Sequence, residues 1–228
     1  MTPWLYLVSY VLEPVSYAIY LFGLVYYYNK YNSSKTYLVM IIFFVIMIAL
    51  QVWILSAMEG NLHIYNVFYV VNSAAFSYFF YQLLPGKTGK RVAIGSGVVT
   101  LFYFLFNLIV LRETYFDSMG YAVASLGIII LVFLYYYSRM KNLTEKARTM
   151  DFNFWLASSQ LIYHLGSFFI FLSLNMFTRN FLAGNNSYEN QRILTSLWGV
   201  HNVLLFLSSL LTWYGILWIA FRMKSPSF

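Results

Sequence analysis

Seven apolar segments, each about as long as a lipid bilayer is thick, are the feature that most constrains this chain. A helix needs roughly 20 mostly apolar residues to cross a hydrocarbon core of about 30 Å. Short polar stretches such as "NKYNSSK" and "PGKTGKR" separate the segments. The sequence therefore predicts an all-α integral membrane protein, with residues 1–228 forming one seven-helix transmembrane domain. The predicted spans are about 4–28, 37–57, 64–84, 92–111, 119–138, 153–177 and 193–221.

Composition points to the same class of protein. Only 9% of the 228 residues are charged and 61% are hydrophobic, whereas soluble domains are about 25% charged. A water-exposed surface with so few charges would be largely apolar, so lipid is the natural surrounding. The chain has no cysteine, which excludes disulfides, thiolate chemistry and cysteine-ligated metal sites.

The distribution of basic residues predicts the orientation. Eleven of the 14 lysines and arginines fall in the loops and tail on one side of the predicted spans. Because cytoplasmic loops carry such an excess, we expect the N-terminus outside and the C-terminus in the cytoplasm. The same distribution explains the net charge of +7 better than binding to nucleic acid does. We expect a multi-pass protein of the cytoplasmic (inner) membrane of a bacterium.

The longest predicted cytoplasmic loop, "SRMKNLTEKARTMD", is basic enough to dock a protein or anionic lipid. Its predicted docking residues are Arg139, Lys141, Lys146 and Arg148.

Two similar sequences end the first and fifth spans. "YYYNK" closes at Lys30 and "YYYSR" closes at Arg139. This similarity suggests a parallel repeat of spans 1–3 and 5–7 around a linking fourth span. Tyrosines and basic residues also gather at membrane interfaces for physical reasons alone, so both interpretations remain open.

Polar residues inside the spans predict a buried site. Glu13 lies in the first span directly before Pro14, which we expect to loosen the helix beside it. Polar groups are costly in lipid and should face the interior of the bundle. Several of them fall at similar depth in the outer half of the membrane. The candidate ligand-binding or proton-titrating residues are Glu13, His164, His201, Asn72, Gln51, Asn202 and Gln160.

Buried polar residues can equally hold helices together, through hydrogen bonds of about 0.6–2 kcal/mol each. We expect that role for most of the serines, threonines and asparagines. Glu13 differs, because no lysine or arginine lies inside any span to neutralise it. His164 and His201 are its only candidate cationic partners within the spans.

Absent motifs exclude several activities. The sequence has no G-x-G-x-x-G, H-E-x-x-H or G-x-S-x-G pattern. The seventh span contains no lysine, so a retinal Schiff base is excluded. Glu13, His164 and His201 could in principle ligate zinc, but they lack any short ligand spacing. We therefore expect no metal and no cofactor.

Three functions remain, with an intramembrane enzyme least favoured. The first is a receptor or sensor that binds a small ligand or a proton in an outer polar cavity and signals through a separate cytoplasmic partner. The second is an accessory or structural subunit of a larger membrane complex. The third is a proton-coupled transporter of a small solute. The expected partners are membrane lipids, a small-molecule ligand, and a cytoplasmic or membrane protein.

Overall fold

A computed structural model describes Val8 and residues 11–56, 64–111, 117–141, 151–182 and 188–222. Every regular element in these ranges is helical, so the all-α prediction is confirmed for them. Residues Asn107–Leu111 extend the fourth helix with wider π-helical turns. The helices are α1 (Leu12–Lys30), α2 (Lys35–Ser56), α3 (Ile64–Leu83), α4 (Gly86–Phe106), α5 (Ser118–Lys141), α6 (Phe152–Leu182) and α7 (Tyr188–Arg222).

Five of these helices, α2, α4, α5, α6 and α7, are long and apolar enough to cross a membrane. This protein is therefore membrane-embedded and helical. The other two helices, α1 and α3, have 19 and 20 residues and a higher share of polar and tyrosine side chains. Several helices also run past the predicted spans: α4 begins at Gly86 rather than residue 92. Such extensions are polar, and helical hydrogen bonding does not end where the apolar run ends.

Six helices form a closed ring. Each helix packs on the next one along the chain, α1 packs on α7, and α3 packs on α5. Because α3 packs directly on α5, helix α4 lies outside the ring, where it contacts both α3 and α5. The α1–α7 seam is tight at Gly23, where a Cβ atom would lie 2.9 Å from Cδ1 of Ile216. A larger side chain at this position would force the Ile216 side chain to move.

The ring consists of two three-helix units that run in the same direction. Helices that follow one another are antiparallel, whereas the α3–α5 and α7–α1 pairs are parallel. The similar sequences noted above make the same contact in each unit. Nζ of Lys30 donates to the Tyr26 hydroxyl at 2.8 Å, and Nη1 of Arg139 donates to the Tyr135 hydroxyl at 2.6 Å. This arrangement is the one that a parallel repeat predicts.

We call the end of the ring where α1 finishes and α2 begins the basic end, and the other the opposite end. Aromatic packing closes the basic end. The Tyr27 ring stacks on Phe152 with centroids 4.2 Å apart, and Tyr37 meets Phe152 edge-on at 5.6 Å. The Tyr37 hydroxyl also donates to Oδ1 of Asn153 at 2.7 Å. Aromatic pairs of this kind add about 0.5–1.5 kcal/mol each beyond the area they bury.

Candidate functional site

The start of α1 places Glu13 inside the ring. The helix begins at Leu12, so Pro14 lies in its first turn, where the missing N–H would have had no helical acceptor. Val11, immediately before Leu12, has π-helical conformation. The regular α-helix thus starts just before Pro14. The Glu13 side chain is only 3% exposed.

Gln51, near the end of α2, is the direct partner of Glu13. Its Nε2 donates to Oε2 of the carboxyl at 3.3 Å, and the Tyr17 hydroxyl is a second polar neighbour. Gln51 is 1% exposed, and its Oε1 has no hydrogen-bond partner among the described residues. Within the same ranges, no basic side chain pairs with Glu13. Two buried acceptor groups therefore face an interior that supplies few donors.

Three tyrosines interact electrostatically with Glu13. The hydroxyls of Tyr17, Tyr121 and Tyr163, on α1, α5 and α6, lie within electrostatic range of the Glu13 carboxyl. Tyr121 is fixed in place by donating to the backbone oxygen of Tyr65 at 2.7 Å. We call Glu13, Gln51, Tyr17, Tyr121 and Tyr163 the Glu13 site. It combines one carboxyl, one amide oxygen without a partner, and aromatic rings.

His201 on α7 is held at both ring nitrogens. The Tyr163 hydroxyl lies 3.2 Å from Nε2, and the Ser167 hydroxyl lies 3.0 Å from Nδ1. The imidazole also packs on Phe171, with centroids 4.7 Å apart. Both ring nitrogens of His201 are thus engaged by hydroxyls, and no hydrogen bond joins this imidazole to the Glu13 carboxyl in the part of the chain that the structure describes.

His164 on α6 is engaged in the same way. Its Nδ1 lies 3.2 Å from the Ser125 hydroxyl, and Nε2 lies 3.5 Å from the Asn72 amide nitrogen. Ser125 on α5 is thus a histidine partner. Glu13 and Gln51 therefore form one group of the predicted residues, and the histidines with Asn72 belong to other contacts. Within the described ranges, no three acidic or histidine side chains come together as metal ligands.

Gln160 belongs to a separate group, deeper in the ring. Its Nε2 donates to the Tyr20 hydroxyl at 2.9 Å, and that hydroxyl lies 2.8 Å from the Ser208 hydroxyl. Thr212 donates to the Ser159 hydroxyl at 2.8 Å. We call Tyr20, Ser159, Gln160, Ser208 and Thr212 the Tyr20 cluster. Since it joins α1, α6 and α7, helix association explains it well.

Asn202 links α7 to the beginning of the chain. Its Nδ2 donates to the backbone oxygen of Val8 at 3.2 Å. This bond belongs to the α1–α7 seam. It satisfies a backbone carbonyl that precedes the regular part of α1. This bond indicates that Asn202 holds α1, and with it Glu13, in position, and it gives less support to contact between Asn202 and a ligand.

Asp117 is a buried acid that the sequence interpretation missed. It is 5% exposed and caps α5, because Oδ1 accepts from the Gly120 amide at 2.8 Å. Oδ2 accepts from the Tyr69 hydroxyl at 3.0 Å and from Nδ2 of Asn107. The Asp117 amide in turn donates to Oδ1 of Asn66 at 2.8 Å. The "DS" pair ahead of an apolar run signals an N-cap, but nothing in the sequence indicates that the cap is buried.

Tyr121 and Tyr163 were also missed, because 22 tyrosines give no sign of which few face the interior. The position of Tyr163 in the middle of its span is a signal that could have singled it out, whereas Tyr121 lies in the first turn of α5. Tyrosines near helix ends serve as interfacial anchors, whereas buried hydroxyls need partners.

The predicted docking residues lie at the basic end. Arg139 is 15% exposed, and its Nη1 contacts Oδ1 of Asp151 at 2.9 Å, so it ties α5 to the start of α6. Lys141 is exposed at the end of α5. Lys146 and Arg148 lie outside the described residues.

No protein-family model, no curated protein and no solved structure matches this chain. No relative therefore suggests a ligand, a partner or an activity. The geometry of the Glu13 site and of the helix ring is what a functional proposal can be built on.

Proposed function

We propose that this chain is a small seven-helix receptor or sensor that binds a small organic cation, such as a protonated amine, at the Glu13 site. It signals through a separate cytoplasmic partner. One observation carries the proposal: the carboxyl of Glu13 and the Oε1 atom of Gln51 are buried together, and no described basic residue neutralises them.

A cation with N–H groups fits this pair chemically. A buried carboxylate costs several kcal/mol unless it is paired and hydrogen-bonded. An ammonium group has no acceptor and three donors, so it satisfies Glu13 and Gln51 together. The faces of tyrosine rings attract cations further, and Tyr17, Tyr121 and Tyr163 supply such rings. The histidines are already engaged at both nitrogens, so they position Tyr163 and do not bind the ligand.

The proposal places all seven helices across the membrane. Helices of 19 and 20 residues are about 30 Å long, which matches a hydrocarbon core. Within the ring, α1 packs between α2 and α7, and α3 packs between α2 and α5, all of which are apolar helices. The basic end faces the cytoplasm under the positive-inside rule. Its described cations are Lys30, Lys35, Lys87, Lys90, Arg91, Arg139, Lys141 and Arg222, against Arg179 and Arg192 at the opposite end.

This orientation puts the Glu13 site in the outer half of the inner membrane of a bacterium, within reach of a ligand from outside. The Tyr20 cluster lies along α1 between that site and the basic end. A ligand that shifts α1 shifts α6 and α7 through these hydrogen bonds. The basic end, with Lys141 and the following loop, then presents a changed surface to the partner.

The test uses tetramethylammonium and methylammonium as probes. The purified protein is heated in detergent with each salt and with equal sodium chloride, and the unfolding midpoint is followed. We expect methylammonium, which has three N–H donors, to stabilise the native protein more than tetramethylammonium, which has none, and Glu13→Gln to remove that effect while still folding. Asp151→Asn, which removes an acid at the basic end, is the matched control and should respond like the native protein. No response in the native protein, or an equal response in Glu13→Gln, would refute the proposal.

A proton-coupled transporter is the second candidate, because the ring contains two parallel three-helix units, as several transporter folds do. Reconstituted vesicles separate the two functions. Uptake of methylammonium driven by a proton gradient indicates transport, and binding without uptake indicates a receptor. Co-purification with one stoichiometric membrane partner, with no response to either cation, indicates an accessory subunit instead.

A further inference from the structure

A groove runs along the outside of the ring between α3 and α4. It has a volume of about 300 Å³ and is lined by Ser77, Tyr78, Tyr81 and Ile94. At its inner boundary the two helices touch, since a Cβ atom on Gly97 would lie 3.2 Å from Oγ of Ser77. The groove is open to the surroundings of the protein and separate from the Glu13 site.

The charges around this groove lie at one end only. Lys87, Lys90 and Arg91 are spaced i, i+3 and i+4, so they share one face of α4. Nζ of Lys90 lies 5.0 Å from the centroid of the Tyr81 ring, which brings this cluster to the mouth of the groove. No acidic residue occurs between Glu59 and Glu113. Within the described ranges, none of the three cations has an ion-pair partner.

The same face of α4 continues as an exposed apolar stripe. Ile94, Val98, Leu101 and Phe102 follow Arg91 at helical spacing and are 54%, 58%, 45% and 70% exposed. Three cations at one end and a long apolar surface beyond them match the shape of a phospholipid, with its charged head and its acyl chain. The stripe is longer than a free phosphate would need.

A further group at the groove lacks partners. The N-terminus of α4 follows Pro85, whose side chain provides no cap, so its first amides are available to an anion. The surface of the groove itself is apolar, which suits an acyl chain.

We propose that the α3–α4 groove is a binding site for one anionic phospholipid from the leaflet at the basic end. The phosphate contacts Lys87, Lys90, Arg91 and the first amides of α4. The glycerol region lies beside Tyr81, and an acyl chain follows Ile94 and Val98. This site is independent of the function proposed for the Glu13 site, and a lipid that remains bound would fix the position of α4 against the ring.

The experiment measures lipid binding to the delipidated protein in detergent. Native mass spectrometry counts the phosphatidylglycerol and phosphatidylcholine molecules that the protein retains, and a titration gives the apparent affinities. We expect one phosphatidylglycerol to bind about 10- to 100-fold tighter than phosphatidylcholine, since three cations attract its net negative charge, whereas the choline ammonium of phosphatidylcholine offsets its phosphate. The triple variant Lys87→Ala/Lys90→Ala/Arg91→Ala should lose this preference.

A matched variant removes the same charge elsewhere at the basic end. Lys30→Ala/Lys35→Ala/Lys141→Ala should keep the preference, and an equal loss there would overturn the site in favour of general electrostatic attraction. Ile94→Trp fills the groove and leaves the cations in place, so it should weaken lipid binding. Glycerol phosphate tests the head group alone. If it binds as tightly as the lipid, or if Ile94→Trp has no effect, the groove does not hold an acyl chain and the proposal fails.

Discussion

Gln51 donates from Nε2 to the carboxyl of Glu13 at 3.3 Å, and its own Oε1 is left without a partner in the described structure. The opposite orientation of the amide would set its oxygen against a carboxyl oxygen. The contact with Glu13 therefore determines which way the acceptor faces. One side chain both fixes the acid and completes the environment that a donor-rich ligand requires.

Replacing Gln51 by methionine tests this relationship. The side chain keeps its length but loses the donor, so we expect the free energy of unfolding to fall by about 1–3 kcal/mol. In the Glu13→Gln background the same change should cost less, because no carboxyl is left short of a partner. Thermal unfolding in detergent measures all three variants. Gln82→Met, at an exposed position on α3, is the control, and an equal loss there would contradict the prediction.

Tyr163→Phe removes the hydroxyl that contacts Nε2 of His201 at 3.2 Å. We expect a loss of about 0.6–1.7 kcal/mol, the range measured for hydrogen bonds between membrane helices. Binding of the cation probe should also weaken, since Tyr163 belongs to the Glu13 site. Tyr137→Phe, at a side chain 66% exposed, should change neither quantity. A Tyr163→Phe protein as stable as the native one would show that the contact contributes nothing.

Asp117→Asn probes the buried cap of α5. Asparagine still caps a helix well, but its amide nitrogen cannot accept the bonds from Tyr69 and Asn107. We expect a loss of about 1.5–3 kcal/mol, as for hydrogen bonds to a charged group. Asp151→Asn changes a second capping acid, which is 43% exposed, and should cost less. Equal losses for the two variants would mean that burial does not set the contribution of the cap.

Arg139→Ala removes the tie between α5 and α6. The partly exposed ion pair with Asp151 is worth at most about 1 kcal/mol, and the bond to Tyr135 adds to it. Lys141→Ala, two residues further on, removes one positive charge from an exposed position and should leave stability unchanged. If both variants weaken binding of a partner but only Arg139→Ala lowers the unfolding midpoint, then partner docking at the basic end depends on charge separately from the packing of α5 on α6.

Much of the architecture was predictable because apolar length and polar punctuation directly reflect the thickness of a membrane. The seven helices follow in order from those signals, and the inward position of Glu13 follows from the cost of a carboxyl in lipid. Helix ends were less predictable, as the start of α4 at Gly86 illustrates. A helix continues through polar residues as long as its backbone hydrogen bonds are satisfied.

The neighbours of each polar residue were not predictable. Helical periodicity gives the face on which Gln51 lies, but not that Glu13 is opposite it. The sequence suggested a histidine as the partner of Glu13, yet His201 is satisfied by Tyr163 and Ser167 instead. Such pairings depend on the rotation and order of the helices. These are set by packing among similar aromatic side chains, and the sequence alone does not distinguish the alternatives.

The position of α4 outside the ring has a consequence for how such a molecule can be assembled. Two copies of a separate three-helix chain, inserted the same way round, would close the same six-membered ring as a homodimer. Joining them into one polypeptide raises a difficulty, because α3 ends at the basic end and α5 starts at the opposite end. The chain must travel back along the full length of the bundle, and α4 is that return. Because α4 is a connector, its outer face does not have to pack against the ring and is available to contact lipid.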